Sequence, residues 1–350
     1  MEKMSETQTA AQSLTESARG RLRVIVESYY DVLDQRMRTD HRVRNHSEYE
    51  ALSALLGRSE ARRYRLEGME TYRKAIRDHK EDPKFAEGME QARKELEGWH
   101  EEMNKVMSRQ ESFLKRLAMR EVEHQPLWTE WLVNVRGIGP CLAGGVLSWI
   151  DLWRTKHASS VWKYCGLAVV ADEYFCRACQ KTFPVAEVPE DGHGHYPCPQ
   201  CKGQTESRGH AERRVKGQLS DWNAKAKTLA YKIGEQFVRT VPSKYRDVYD
   251  RLRLEVDSKP CRKVHLDEKT KKVIPCFDKH RHMKAMRLTA KVFLAHVYLV
   301  GRVLMDLPVS RPFPFERLQQ DISSLIVPQV DEGRLPEKVV RQLEAWGVKA

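Results

Sequence analysis

Four cysteines carry the clearest chemistry in this chain: Cys176-x-x-Cys179 and, after an eighteen-residue spacer, Cys198-x-x-Cys201. Each pair lets one tight turn present two thiolates to the same ion, and four sulfurs close a tetrahedron with no position left for substrate. The expected cofactor is therefore a structural zinc ion. A redox dithiol works as a single pair, so two matched pairs argue against one. Tyr174 and Phe175, Phe183-Pro184-Val185 and Tyr196-Pro197 read as short strands and turns around the metal. An insertion this poor in apolar residues needs its ion in order to fold. His193 and His195 at the loop tip read as exposed loop residues rather than ligands. A second set, Cys261-x-x-x-His265 and Cys276-x-x-x-His280 with His282 close by, could close a Cys/His site across the polar turn 267–272. The other reading is two unrelated cysteines with histidines that decorate a helix start.

Residues 131–145 offer a different chemistry, that of a helix-hairpin-helix holding a nucleic-acid backbone. Leu132 and Val135 lie one helical step apart, Gly137 and Gly139 allow a tight reversal, Ile138 plugs the junction, and Pro140 suits the first turn of the next helix. The amides around Gly137 and Gly139 are expected to point at a phosphate, with Arg136 and Lys156 adding a salt-sensitive attraction. The plainer reading of Gly-Ile-Gly-Pro is a tight connection between two packed helices.

The charge distribution favours a nucleic-acid partner. The chain of 350 residues carries a formal charge of +12, and residues 201–300 alone hold 24 Lys and Arg against 11 Asp and Glu. The rest is near neutral, so the basic surface is localised, as a DNA or RNA footprint is. No apolar run approaches the roughly 20 residues that span a bilayer. The first residues lack an apolar secretory segment, and a cytoplasmic location is expected, in which the eight cysteines serve as metal ligands or free thiols.

Helices must position these groups. Residues 18–38, with Leu22, Val26, Tyr29, Tyr30 and Leu33 at helical spacing, and the segments 47–80 and 84–121 read as long helices forming a hairpin or short coiled coil. Met89, Ala92, Leu96, Trp99, Met103, Val106 and Met107 mark one apolar face. Downstream, Leu219, Trp222, Ala226, Leu229, Ile233 and Phe237 line a helix that follows the basic Arg213, Arg214 and Lys216. A further helix over 279–305 buries Met283, Met286, Ala290, Phe293, Val297, Val300 and Leu304, with Lys284, Arg287 and Lys291 as a parallel basic stripe.

The order of four motifs resembles a known family. Val135-Arg-Gly-Ile-Gly-Pro-Cys-Leu-Ala, Ser160-Val-Trp-Lys-Tyr-Cys-Gly-Leu-Ala, Arg213-Arg-Val-Lys-Gly and the basic helix from His280 to Lys291 are similar to the C-terminal transposase domain of insertion-sequence recombinases that include the pilin-gene invertase, the DEDD-type or bridge-RNA-guided transposases. The resemblance covers roughly residues 125–305, with the zinc ribbon as an insertion seen in phage-type relatives. It implies DNA strand recombination and a serine nucleophile, for which Ser207 in Glu206-Ser-Arg-Gly209 is the nearest match. A serine attacking a phosphodiester needs a base and an oxyanion-stabilising cation, roles open to His210, Arg208, Arg213 and Arg214; the plainer reading is a polar serine in a basic linker. Family members begin with an RNase H-like domain whose four acidic residues hold magnesium. Here the first 120 residues are helical, with no Asp at the end of a Val/Ile-rich run.

The expected architecture is mainly α: a tail over 1–17, a helical arm over 18–122, a hairpin-motif region over 123–172, a zinc ribbon over 173–206, a basic helical core over 207–308 and a helical tail over 309–350. The expected function is that of a transposase- or recombinase-like DNA-binding protein of a mobile element or phage. The alternative is a non-catalytic zinc-containing adaptor for DNA or structured RNA. The arm would mediate assembly, including self-association, or bind a partner; the plainer reading is an ordinary helical bundle.

Overall fold

The computed structural model describes residues 16–348, apart from 177, 189, 191–195, 212–213, 215, 260, 262–264, 267–272, 313–314 and 316–320. It is mainly helical, with one three-stranded and one two-stranded antiparallel sheet. Two compact units divide the chain, one of residues Val24–Ala118 and one of the remainder. Helices α1 (Glu16–Leu56) and α4 (Pro83–Val122) each contribute to both.

In the first unit the two long helices run antiparallel. Arg36 bonds the buried Glu111 at 2.6 Å, Asp40 accepts from His100 at 2.7 Å, and a Cβ on Gly88 would sit 2.9 Å from the Ala51 backbone. The inward face of α4 differs from the expected one. Ala92 and Met107 are buried, but Trp99 and Val106 are exposed, because the helical period brings His100 and Asn104 to the α1 side and Asp40 receives them. The expectation of one helix over 47–80 is also corrected. Gly57 and Gly68 take φ of +89° and +123°, angles that L side chains rarely adopt, and they separate α1 from α2 (Arg58–Glu67) and α3 (Met69–His79). Ala51, Leu52, Ala61, Tyr72, Ala75 and Phe85 form the small core at that end.

In the second unit α5 (Pro126–Thr129) and a 3₁₀ turn (Leu132–Asn134) lead into α6 (Pro140–Trp149) and α7 (Ala158–Tyr164). Strands β1 (Val169–Cys176), β2 (Lys181–Pro184) and β3 (Thr205–Ala211) follow in the order β2-β1-β3. The ribbon thus reaches beyond the expected 173–206 at both ends. After it come α8 (Ala224–Arg239), α9 (Lys244–Ser258), the short pair β4 (His265–Leu266) and β5 (Val273–Ile274), α10 (Asp278–Leu304) and α11 (Glu337–Ala345).

Helix α10 is the hub, packed by α5, α7, α8, α9 and α11. Its Phe293 meets Trp131, Phe237 and Tyr245 with ring centroids 5.2–5.6 Å apart, all four fully buried. The expected apolar faces of α8 and α10 pack as read, except that Leu219 and Trp222 lie before α8 and Leu219 is wholly exposed. The expected helical tail is corrected as well: among its described residues the regular helix is α11, and 325–336 is an extended strap. That strap is fixed by bonds from His296 to the Ile326 carbonyl (2.7 Å) and from the Trp131 indole to the Gln329 carbonyl (3.1 Å).

Candidate metal centre and nucleic-acid interface

The two Cys-x-x-Cys turns are built alike. Gln180 and Lys202, each directly after the second cysteine, hold left-handed φ of 55° and 58°, which folds each turn back on its thiols. β1 carries Cys176 beside Lys181 of β2 and Thr205 of β3, so the sheet holds the first knuckle against the second. Sγ atoms of Cys176 and Cys201 lie 3.4 Å apart, Cys179 and Cys198 3.5 Å, and Cys179 and Cys201 3.8 Å. All four fall within 4.8 Å of one another. Thiolates about 2.3 Å from a tetrahedral ion stand about 3.8 Å from each other, so the cluster fits one metal ion. The Cys198 thiol is drawn down to about 6: burial opposes its charge, but the backbone N–H groups of Cys201 and Gln200 outweigh it. Four thiolates at this spacing repel one another, and a dication relieves that repulsion. Tyr174, Phe183 and Val188, with Tyr196 stacked on Tyr174 at 4.5 Å, are the small apolar core around it.

The bend at 135–139 takes the expected local form. Gly137 has φ +94°, Ile138 is buried as the plug, and Pro140 opens α6 with Gly139 before it. Its surroundings differ from the expectation. A Cβ on Gly137 would lie 2.9 Å from Thr240 Oγ1, so the bend packs on the end of α8. The Arg136 amide, expected to meet a phosphate, donates to Asp331 Oδ2 at 2.7 Å, while Oδ1 accepts from the Lys244 amide at 2.7 Å. Arg136 also pairs with Glu332 at 3.3 Å, and the Asp331 amide donates to the Asn134 carbonyl at 2.8 Å. Two carboxylates of the strap thus occupy the side of the bend where an anion was expected. Gly139 itself is exposed.

The basic stripe separates into unlike members. Lys284 is exposed, whereas Arg287 and Lys291 are half-buried one turn apart on α10. Lys291 Nζ lies 4.3 Å over the Trp162 ring of α7, whose indole N–H donates to the Lys291 carbonyl at 2.8 Å. Burial lowers Arg287, and burial together with Arg287 pushes Lys291 down to about 8. Neither forms an ion pair among the described residues. At the start of α8, Lys227 Nζ stands 4.0 Å over Trp222, and Trp222 fills the space beside Gly166, whose Cβ would come within 2.8 Å of that ring. Lys156 is exposed, with its carbonyl held by Tyr298 at 2.6 Å. Arg214 and Lys216 are exposed in the connection from β3 to α8; Arg213, His193 and His195 lie outside the described residues.

Ser207 is placed within β3, opposite Tyr174 of β1, so its backbone belongs to the ribbon's sheet; its side chain and that of His210 lie outside the described set. The neighbouring Arg208 stacks on Phe175. Two clusters of metal-ligating side chains occur among the described residues, the cysteine tetrad and Cys261, Cys276 and His280, and neither contains a carboxylate. No helix is long and apolar enough to cross a membrane.

Sequence reasoning missed the Asp331–Glu332 strap and the buried Arg302, whose guanidinium holds the carbonyls of Leu152, Thr155 and Pro308 at 2.6–2.9 Å. A lone Arg inside the apolar run of α10 was the available signal for the second; the strap had none. Compared with family models, curated proteins and solved structures, the chain matches none.

Proposed function

We propose that this is a zinc-stabilised nucleic-acid-binding protein that grips the phosphate backbone, acting as an adaptor rather than as a strand transferase. The observation that carries this reading is the pair Arg287 and Lys291: two half-buried cations one turn apart, with no carboxylate partner among the described residues. Such a pair costs stability in the free protein, and an arriving phosphate relieves the cost. Trp162 beneath Lys291 adds a π-face of the kind that binds cations and bases alike. The local excess of Lys and Arg in residues 201–300 supplies the longer-range attraction.

Zinc is the ion we assign to the tetrad, because four thiolates in a closed tetrahedron suit it and leave no position for substrate. The ribbon is then a folding element and Ser207 a strand residue within it. Reduced thiols at all eight cysteines fit a cytoplasmic location. The motif resemblance makes DNA the first partner to try and a structured RNA the second. Binding of the full chain to a DNA duplex, a single strand and an RNA hairpin, titrated across salt concentrations, tests the proposal. Steep salt dependence with at least one of them is the expected result; no binding at low salt would remove it.

A further inference from the structure

Between α9 and α10 the chain makes a small hairpin. Its ladder is two residue pairs long, His265 opposite Ile274 and Leu266 opposite Val273. An isolated two-stranded hairpin is marginal in water even when longer. Phe277, directly after it, is 49% exposed. The segment 259–281 is also crowded with Lys and Arg, which oppose its folding back on itself. A tie at its base would stabilise so short a ladder.

Three potential ligands converge at its base. Cys261 follows α9, Cys276 ends the hairpin, and His280 sits in the first turn of α10. Their Sγ and ring nitrogen atoms lie within 4.8 Å of one another, all half-buried. The nearby His282 is engaged elsewhere, its Nδ1 bonded to Tyr249 OH at 2.7 Å. Two thiolates and an imidazole are the donor set that a borderline dication such as zinc prefers. Two negative sulfurs would also offset part of the segment's positive charge.

We infer that Cys261, Cys276 and His280 form a second metal centre, distinct from the ribbon's, which ties the end of α9 to the start of α10. It rests on a cluster separate from the tetrad and stands whether or not the protein binds nucleic acid. His265, the fourth residue of the set expected from the sequence, has its side chain outside the described residues.

The test is metal content of the full chain together with alkylation mapped cysteine by cysteine. Purified protein is expected to hold two zinc ions per chain, falling to one in Cys261→Ser/Cys276→Ser and to the other one in Cys176→Ser/Cys179→Ser. In the wild-type chain, iodoacetamide should label Cys261 and Cys276 slowly until a chelator is added, and many-fold faster afterwards. That measurement needs no variant, and it separates this centre from the ribbon because each cysteine is read alone. His280→Ala should speed labelling at Cys261 and Cys276 while leaving the ribbon cysteines protected. One zinc per chain, chelator-independent labelling of Cys261 and Cys276, or a Cys261–Cys276 disulfide in freshly purified protein would each overturn the inference.

Discussion

Replacing Asp331 by Ala removes a carboxylate that accepts two backbone N–H bonds, from Arg136 and from Lys244, each at 2.7 Å. Lys244 is the first residue of α9, where a negative charge also meets the positive end of the helix dipole. Ser243 caps the same helix by accepting from the Arg246 amide at 3.1 Å, so Asp331 supplies a second, independent cap. Bonds to a charged acceptor contribute about 1.5–3 kcal/mol each, and water replaces part of that at these exposed amides. The expected loss for Asp331→Ala is therefore about 2–3 kcal/mol, with Asp331→Asn, which keeps one carbonyl acceptor, losing about half. Urea unfolding of the full chain reads the loss, and amide exchange locates it: Arg136 and Lys244 should exchange faster while the α10 core stays protected. Nucleic-acid affinity of the folded variant should not rise, because the strap is read here as a brace. A loss below about 0.5 kcal/mol with unchanged exchange would refute the energetics. A large gain in affinity would instead make Asp331 a stand-in for phosphate and return the bend to the binding surface.

Lys291 is held at about 8 against 10.5 for a free side chain, so the folded state penalises its charge fully below about pH 8 and not at all above 10.5. Stability measured by urea unfolding should climb across that window, and Lys291→Met should stabilise the protein at pH 7, by up to roughly 3 kcal/mol, while weakening nucleic-acid binding. The same protonation predicts that phosphate affinity falls as pH rises past 8; a flat pH profile between 7 and 9 would count against Lys291 as a contact. Cys176→Ser should expose residues 169–211 to limited proteolysis while α8 and α10 stay intact, since their core is separate. Ser207→Ala and Ser220→Ala should bind alike and show no difference in strand cleavage with magnesium or manganese. Cleavage lost only in the first would reinstate a recombinase.

The parts of this fold that were legible in sequence are those whose signals are local. Knuckle spacing places two ligands on one turn whatever surrounds it, and the three-and-four alternation through Met286, Ala290, Phe293 and Val297 marks the buried side of α10 without reference to its partners. Local form was legible at the bend too, where Gly137 and Pro140 each have a single conformational use. Its occupancy was not, because Asp331 comes from 195 residues away and follows no period. Trp99 and Val106 misled for a related reason: hydrophobicity suggested an inward face, but Asp40 on the facing helix makes His100 and Asn104 the better inward pair. The basic stripe was visible as a row of charges, yet only packing against Trp162 distinguishes the half-buried Lys291 from the exposed Lys284.

The most direct measurement is the salt dependence of DNA binding for the wild-type chain beside Arg287→Ala/Lys291→Ala. Each lost phosphate contact lowers the slope of log affinity against log salt by about 0.9. The account predicts weaker binding and a slope smaller by nearly two contacts, with zinc content unchanged and the fold retained. Equal affinity and equal slope in the two proteins would contradict it.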